Sequence, residues 1–416
     1  MSIPLRNPET PLARARARPL LFPMMAVCSG ATVANVYLAQ PLLALFTHSL
    51  GVTASAAGVV VTCAQFGYAA GILFLVPLGD VRRRRPLLSI LLAITVIGLL
   101  LAAAAPSLAL LAAATALVGG ATVIPQVLVP LAAELAAPER RASVVAGVQI
   151  GLMTGIIGSR VIGGAVGDVI GWRAVYLLAA ALTAATGAVT VALLPRESDR
   201  RAADEPARPR YPHLLASLPR LLIREPALRH SCALHALLFG AYTATWTSLV
   251  LMLTREPYGY RSAVAGLFGA LGLAGAVAAP WAGRFIDRRG AIPIIAAALS
   301  LMLAAAGAYA LGGARLPFLI VAIVLANIAV QWSQIANQAR IFGYLPAARS
   351  RANTVYMVAV FLSGACCAAL ASVCFGAWGW LGVCALHAVL TLLGLSVLPL
   401  VRRYDLRHLT PAKEQS

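Results

Sequence analysis

Twelve long apolar stretches, separated by short polar segments, constrain this chain more than any other feature. A helix needs about 20 mostly apolar residues to cross the hydrocarbon core of a bilayer. No strand-like alternation competes with this pattern, so the sequence predicts an all-α polytopic membrane protein with twelve transmembrane helices. The predicted helices lie at roughly 21–46, 56–76, 87–105, 108–133, 142–166, 173–194, 230–253, 263–283, 291–311, 318–338, 352–375 and 381–400.

The composition excludes the main alternatives. Only 11% of the residues are charged, against about 25% in ordinary soluble domains, and with 60% apolar residues the chain is too hydrophobic to be disordered. The net charge of +19 suggests a nucleic-acid partner at first sight. The basic residues, however, form short clusters between apolar stretches instead of one continuous face. We therefore expect the lipid bilayer, and no nucleic acid, as the partner.

The basic residues also predict an orientation. If the N-terminus is cytoplasmic, 28 of the 33 Arg and Lys residues fall on the cytoplasmic side and four on the outer side. Such a bias is typical of membrane proteins. The first apolar stretch is too long for the core of a signal peptide, so we interpret it as an uncleaved first helix. The sequence thus predicts a multi-pass protein of the bacterial plasma membrane with both termini in the cytoplasm.

The twelve predicted helices divide into two halves of six. Residues 1–194 form the first half, 195–229 a polar cytoplasmic linker rich in Arg, Asp, Glu and Pro, and 230–416 the second half with a short tail. Part of the linker, from about 213 to 229, could lie as an amphipathic helix on the membrane surface.

Landmarks of the first half recur in the second at nearly one offset. Asp80 and Asp287, which follow helices 2 and 8, are 207 residues apart, and Gly171 and Gly379 are 208 residues apart. Six helices return the chain to the side where it began, so the repeat is parallel. Parallel repeats around a cavity at the membrane midplane are a known transporter architecture.

At these residues the chain resembles the major facilitator superfamily, over its whole length. That family carries a GxxxDRxGRR signature between helices 2 and 3, with an echo between helices 8 and 9. The second copy here contains Gly283, Asp287, Arg288 and Gly290, and the first keeps Asp80, Arg82 and the basic run. The resemblance implies that both copies form a cytoplasmic latch, which must break when that side opens. Alternatively, these residues only anchor a loop and set the topology.

Helix 5 carries small residues at every fourth position. They form a ridge that lets another helix approach closely. The region is similar to the GPxxGG signature of the twelve-helix drug/proton antiporter branch, although Ser159-Arg160 replaces its Gly-Pro pair. The resemblance implies an efflux permease. The glycines predicted for helix packing are Gly147, Gly151, Gly155, Gly163 and Gly167.

Arg160 is the one basic residue inside a predicted helix. Ionisable residues within the membrane are costly and are functional candidates by default. Arg160 could bind an anionic substrate or stabilise a proton-coupled partner. Alternatively, its side chain reaches the outer surface or pairs with Asp168 through water.

Candidates for proton coupling and for the substrate cavity come from the polar residues of the helices. No carboxylate lies near the middle of a predicted helix, so His235 and His387 are the buried titratable candidates. In the superfamily helices 1, 4, 7 and 10 line the cavity, which favours His235; a structural role for either histidine is the alternative. Hydrogen bonding between helices is the alternative for the other polar residues. The predicted cavity or coupling residues are Asn35, Tyr37, Gln40, Gln126, Arg160, His235, Tyr242, Trp246, Asn327, Gln331, Gln334 and Asn337.

These observations favour a secondary active transporter that moves a small organic solute by alternating access, with proton-coupled efflux as the main hypothesis. A uniporter, a proton-coupled importer and a non-transporting sensor remain alternatives. No HExxH, GxSxG or phosphate-binding motif indicates an enzyme. The seven cysteines form no CxxC pair, so neither a metal site nor a cofactor is expected. We expect a monomer whose partners are the solute and protons.

Overall fold

The computed structural model describes residues 19–137, 140–195 and 211–409. These residues form helices and turns without any strand, which confirms the predicted all-α fold. The predicted N-terminal tail, most of the linker and the end of the C-terminal tail lie outside the described residues. The long helices, which we number α1–α10, are Leu21–Leu50 (in two parts), Ala54–Phe74, Arg84–Ala103, Leu108–Leu135, Ser143–Ile170, Trp172–Leu193, Pro226–Leu253, Ser262–Arg289, Ala291–Gly312 and Leu316–Tyr344.

The last helical segment is too long to cross a membrane once. It runs over Arg349–Leu409 and contains one residue with non-helical dihedral angles, Gly379. We therefore divide it into α11 (349–378) and α12 (380–409). Its two parts, together with α1 counted as one bent helix, bring the long apolar helices among the described residues to twelve, which is consistent with the predicted number.

Proline and short polar side chains define where several helices begin and bend. Thr53 caps α2 by accepting a hydrogen bond from the Ala56 amide, at 3.2 Å. α1 bends by 42° between Tyr37 and Gln40, next to Pro41. Proline cannot donate a backbone hydrogen bond and therefore favours such breaks.

The turns after α5 and α11 each consist of a single glycine. Gly171 has φ +106° and Gly379 has φ +61°, values that residues with a Cβ atom rarely adopt. A tryptophan, Trp172 or Trp380, follows each glycine directly. This turn explains physically why a glycine occurs at the corresponding position in both halves of the sequence.

Small residues allow helices within the first half to pack at backbone distance. A Cβ atom on Gly151 would overlap with the backbone of Ala26 on α1, and one on Gly155 would overlap with the backbone of Gly30. By contrast, a Cβ atom on Gly147 would meet nothing within 4 Å. The contact between α1 and α5 therefore depends on particular glycines of the ridge.

Many large apolar side chains point away from the protein. Val169 is 80% exposed, and Trp378 and Ile150 are exposed to similar degrees. Continuous exposed apolar surface of this kind is unfavourable in water, and it suits a protein surrounded by lipid.

The ends of the helices lie on two sides of the protein, and these sides differ in charge. We call the side that holds the start of α1, the α2–α3 connection and the end of α12 the basic side, because Arg82–Arg85 and most other arginines of the described residues lie there. The other side we call the opposite side. On the basic side, an amphipathic helix, Tyr211–Arg224, precedes α7 and is tied to α2 by a hydrogen bond from the Tyr211 hydroxyl to the Phe74 carbonyl, at 2.7 Å.

Candidate functional site: a cavity between the two halves

A cavity of about 670 Å³ lies between α1–α6 and α7–α12. Both halves contribute polar and aromatic side chains to its wall. Amides with apolar and aromatic neighbours are typical of small-molecule sites. The polar and aromatic lining comprises Tyr37, Tyr68, Gln126 and Gln149 from the first half and His235, Phe239, Gln331, Gln334, Gln338, Asn353 and Phe361 from the second.

The cavity reaches the basic side. There its wall includes Arg84, Glu134 and Arg349, and the last two are exposed. The Arg84 guanidinium binds the Glu134 carboxylate with both terminal nitrogens, one of them at 2.9 Å. This pair joins the start of α3 to the end of α4 and leaves the entrance open between the halves.

Arg160 closes the cavity toward the opposite side. Its guanidinium lies 3.9 Å from the centre of the Trp246 ring and 5.5 Å from that of Tyr37. Its Nε–H donates to the Gln40 side chain at 3.3 Å. Because Trp246 belongs to α7 and the other three residues to α1 and α5, this cluster joins the two halves. Arg160 is 3% exposed, so the alternative in which it reaches the outer surface is wrong.

A second contact between the halves lies further toward the opposite side. The Asp168 carboxylate on α5 accepts a hydrogen bond from the Ala263 amide at 2.6 Å, in the first turn of α8. The exposed Arg261 guanidinium is 3.7 Å away. A carboxylate at a helix N-terminus is stabilised by the helix dipole. Asp168 therefore pairs across the halves, and the direct partners of Arg160 do not include it.

His235 lines the cavity from α7. Its Nδ1 lies 2.8 Å from the Ser333 hydroxyl, and its ring stacks on Tyr356 with 5.5 Å between centroids. No described residue forms a hydrogen bond with its Nε2. His387, in contrast, lies outside the cavity wall, with Thr245 at 2.6 Å from Nδ1 and the Met302 carbonyl at 3.2 Å from Nε2.

Five of the residues predicted for the cavity or for coupling line it: Tyr37, Gln126, His235, Gln331 and Gln334. Gln40, Arg160 and Trp246 form the cluster that closes it. The Tyr242 hydroxyl donates to Asn327 at 3.1 Å. Asn337 donates to Ser333, behind His235.

Asn35 points away from the cavity, into the first half. Its amide lies 3.4 Å from the Thr122 hydroxyl and 3.2 Å from that of Thr183. Asn35 therefore joins α1 to α4 and α6. This arrangement corresponds to the alternative in which a polar residue forms hydrogen bonds between helices instead of lining the cavity.

The residues of the predicted latch lie on the basic side. Asp80 is in a short helical turn, Leu78–Val81, and its side chain lies outside the described part of the structure. Arg82, Asp287 and Arg288 are exposed. Within the described ranges, no hydrogen bond or ion pair involves the Asp287 carboxylate. Gly283 is in α8, and Gly290 ends that helix with φ +80°.

Several residues that belong to the site were missed in the sequence. Gln149 and Gln338 line the cavity, and an amide inside an apolar stretch was the available signal for the first. Outside the cavity wall, the role of Arg340 was also missed, because the predicted helix 10 ends near residue 338 and leaves Arg340 beyond it. The structure extends α10 to Tyr344 and buries Arg340 against Asp405 of α12.

Comparison with known proteins agrees with this architecture. The Major Facilitator Superfamily matches residues 25–315. A protein of Streptomyces coelicolor named "Probable transporter SCO4007" is 44% identical over 390 residues, which cover 94% of this chain and 89% of that protein. The uncharacterized transporter YgaY of Escherichia coli is 36% identical over 379 residues, covering 91% of this chain and 95% of the relative.

Solved structures show the same fold at low sequence identity. The nucleoside transporter NupG is 14% identical, with a TM-score of 0.73 over 92% of this chain and 99% of NupG. A bacterial homolog of the human lysosomal transporter Spinster, in an inward-facing and unoccupied conformation, is 15% identical, with a TM-score of 0.67 over 94% of this chain and 98% of the homolog. These relatives are transporters and not enzymes. The chain therefore belongs to the Major Facilitator Superfamily and is a multi-pass membrane transporter.

Proposed function

We propose that this transporter moves a small organic solute across the bacterial plasma membrane by alternating access, and that it exports the solute in exchange for protons. The cavity between the halves carries the proposal. It is open on the basic side, and contacts between the halves close it on the opposite side. In alternating access, the transporter opens its binding site to one side of the membrane at a time, and a cavity with one open and one closed end fits this mechanism.

The basic side is the cytoplasmic side in this proposal. The arginine bias supports this assignment, since cytoplasmic loops carry an excess of Arg and Lys. The conformation is then inward-facing. Asp287 and Arg288 are exposed at the open side, as expected if the latch that they form is released in this state.

His235 is the proposed proton-coupling group. It lines the cavity, is bonded at Nδ1 and has no partner among the described residues at Nε2. A histidine can change its charge near neutral pH. The single carboxylate in the described wall of the cavity, Glu134, is already paired with Arg84, which makes it a weaker candidate.

Solute flux in proteoliposomes tests the transport function. Full-length protein would be reconstituted and screened with a metabolite library, with and without a pH gradient. We expect at least one solute to accumulate on the side with the higher proton concentration, because protons leaving that side drive uptake by exchange. Accumulation on the other side would indicate an importer, and flux independent of the gradient would indicate a uniporter. No flux of any solute would contradict transport and favour a sensor.

Exchange of His235 for Gln tests the coupling residue, with His387→Gln as the matched control. Both histidines are buried and hydrogen-bonded, but one of them lines the cavity. We expect the His235 variant to carry solute without dependence on the pH gradient and the control to keep that dependence. Equal gradient dependence in both variants would contradict the role of His235.

Labelling of single cysteines tests the orientation. In a background without native cysteines, His213→Cys on the basic side and Arg315→Cys on the opposite side are both exposed positions. An impermeant maleimide added to intact cells should react with the second and not with the first. The reverse result would overturn the proposed orientation.

A further inference from the structure

Arg160 carries a positive charge that no group of the described residues neutralises in this conformation. No carboxylate of the described residues lies within ion-pair distance of its guanidinium. Its Nη2 is buried and has no hydrogen-bonding partner in the described part of the chain. A buried charge without a partner is costly, so a compensating gain is needed. We propose that the transported solute is an organic anion and that Arg160 binds its negative charge. This inference rests on the transport function proposed above.

The position of Arg160 suits this role. Tyr37 lines the cavity and also lies under the guanidinium, which places Arg160 directly behind the closed end of the cavity. The other neighbours of Arg160 are neutral. Gln40 accepts a hydrogen bond from one of the five N–H groups of the guanidinium, and the Trp246 ring covers one face of the guanidinium. The planar guanidinium therefore keeps donors for a carboxylate or phosphate, which it can bind with two parallel hydrogen bonds.

The charge of the cavity wall points to the same class of solute. Among the described lining residues, Glu134 is the single carboxylate, and Arg84 binds it. Arg349 adds a positive charge at the entrance. An anion entering from the basic side is attracted at both ends of its path. A cation would meet repulsion without any free carboxylate to bind.

The contacts around Arg160 also connect binding to the conformational change. Gln40 lies on α1, Arg160 on α5 and Trp246 on α7, so separation of the halves on the opposite side removes the tryptophan from the guanidinium. A cation–π contact is thereby lost, and an anion bound to Arg160 would replace it. The anion would then stabilise Arg160 while the cavity is open to the opposite side.

Gln40→Glu is the critical variant, because it places a carboxylate where the Oε1 of Gln40 lies, 3.3 Å from Arg160. The new carboxylate would neutralise Arg160 and compete with an anionic solute. Gln40→Met has a similar shape and no charge, removes the same amide without adding a carboxylate, and is therefore the reference with which Gln40→Glu is compared. Arg160→Lys keeps the positive charge but replaces the planar guanidinium by an ammonium group. It serves as a folding control, because removal of the charge would itself disturb the protein.

The probes are compounds that share a carbon skeleton and differ in charge, beginning with benzoate, benzamide and benzamidine and extending to larger ring systems. Binding to purified full-length protein would be measured by the shift in melting temperature, and flux in proteoliposomes. We expect the carboxylates to bind and cross with the wild type and, more weakly, with Gln40→Met, which loses the hydrogen bond to Arg160, and with Arg160→Lys. Compared with Gln40→Met, Gln40→Glu should melt at a higher temperature without ligand. It should also bind the carboxylates at least about tenfold more weakly than Gln40→Met, because of like-charge repulsion.

Each other result overturns a defined part of the proposal. If Gln40→Glu binds carboxylates as well as the wild type does, Arg160 does not bind the solute. If amides or amidines cross and Gln40→Glu leaves their flux unchanged, the solute is not an anion, while the transport function stands. If the wild type carries no compound of any charge, in these sets or in the metabolite library, the transport function itself fails.

Discussion

The buried ion pair between Arg340 and Asp405 should hold the basic-side ends of α7, α10 and α12 together. Arg340 is 5% exposed and Asp405 is 8% exposed. The Arg340 Nε lies 2.9 Å and its Nη2 2.6 Å from carboxylate oxygens, and Nη1 donates to the Ala227 carbonyl and the Ser231 hydroxyl on α7. The Tyr344 hydroxyl donates to the same carboxylate at 2.9 Å.

Exchange of Arg340 for Met should lower the free energy of unfolding by about 3–5 kcal/mol, the usual cost of removing one partner of a buried ion pair. The substitution leaves a buried carboxylate whose remaining donor among the described residues is the Tyr344 hydroxyl, and it removes the donor to the Ala227 carbonyl. Because Asp405 keeps a small accessible surface, at 11% of its side chain, we expect a value near the lower end of this range. Asp405→Leu should give a similar loss, since it leaves the arginine charge unpaired.

The double variant Arg340→Met with Asp405→Leu provides the sharper measurement. Replacement of a whole buried pair by apolar residues is often neutral or stabilising, so the double variant should be more stable than either single variant. Unfolding by SDS titration in mixed micelles would give the free energies, with the exposed Arg403→Met on α12 as control. The control should change stability by less than about 0.5 kcal/mol. If the losses of the two single substitutions simply add in the double variant, the pair is not energetically coupled and the reasoning is refuted.

Two further predictions concern helix packing and the contact on the opposite side. Gly155→Ala should lower the free energy of unfolding by roughly 1–3 kcal/mol, because its Cβ would overlap with the backbone of Gly30. The Cβ of Gly147→Ala meets nothing within 4 Å, so this control should leave the free energy of unfolding unchanged or raise it by up to about 1 kcal/mol. Equal effects of the two variants in the same SDS titration would contradict this account of the α1–α5 contact. Asp168→Asn removes the charge that binds the Ala263 amide at the start of α8 and should cost the closed opposite side roughly 1 kcal/mol, which is about a fivefold shift in population toward opening on that side. Distances between spin labels on the opposite-side loops of the two halves would measure the shift, and an unchanged distance distribution would show that Asp168 does not hold that side closed.

The sequence by itself determined the parts of this protein that depend on local chemistry. The transfer of about 20 apolar residues into lipid decides where a helix crosses the membrane. Every predicted helix therefore overlaps an observed one and begins within four residues of it, whereas α8, α10 and α12 end 6 to 9 residues later than predicted. The Gly-Trp pairs at Gly171 and Gly379 were recognisable as repeats because the turns that they form are local as well. The small-residue spacing of α5 was visible for the same reason.

Only the tertiary structure decided which way the polar side chains point. Helices in a membrane are apolar on every side, so their hydrophobic pattern does not show which face lines a cavity. Asn35 and Tyr37 are two residues apart on α1, yet Asn35 bonds to α4 and α6 while Tyr37 lines the cavity. Likewise, Arg340 lies beyond the predicted end of helix 10, and its partner Asp405 is 65 residues away along the chain. Pairing of this kind depends on how the helices are arranged in three dimensions, because only that arrangement brings distant charges together in a place that excludes water.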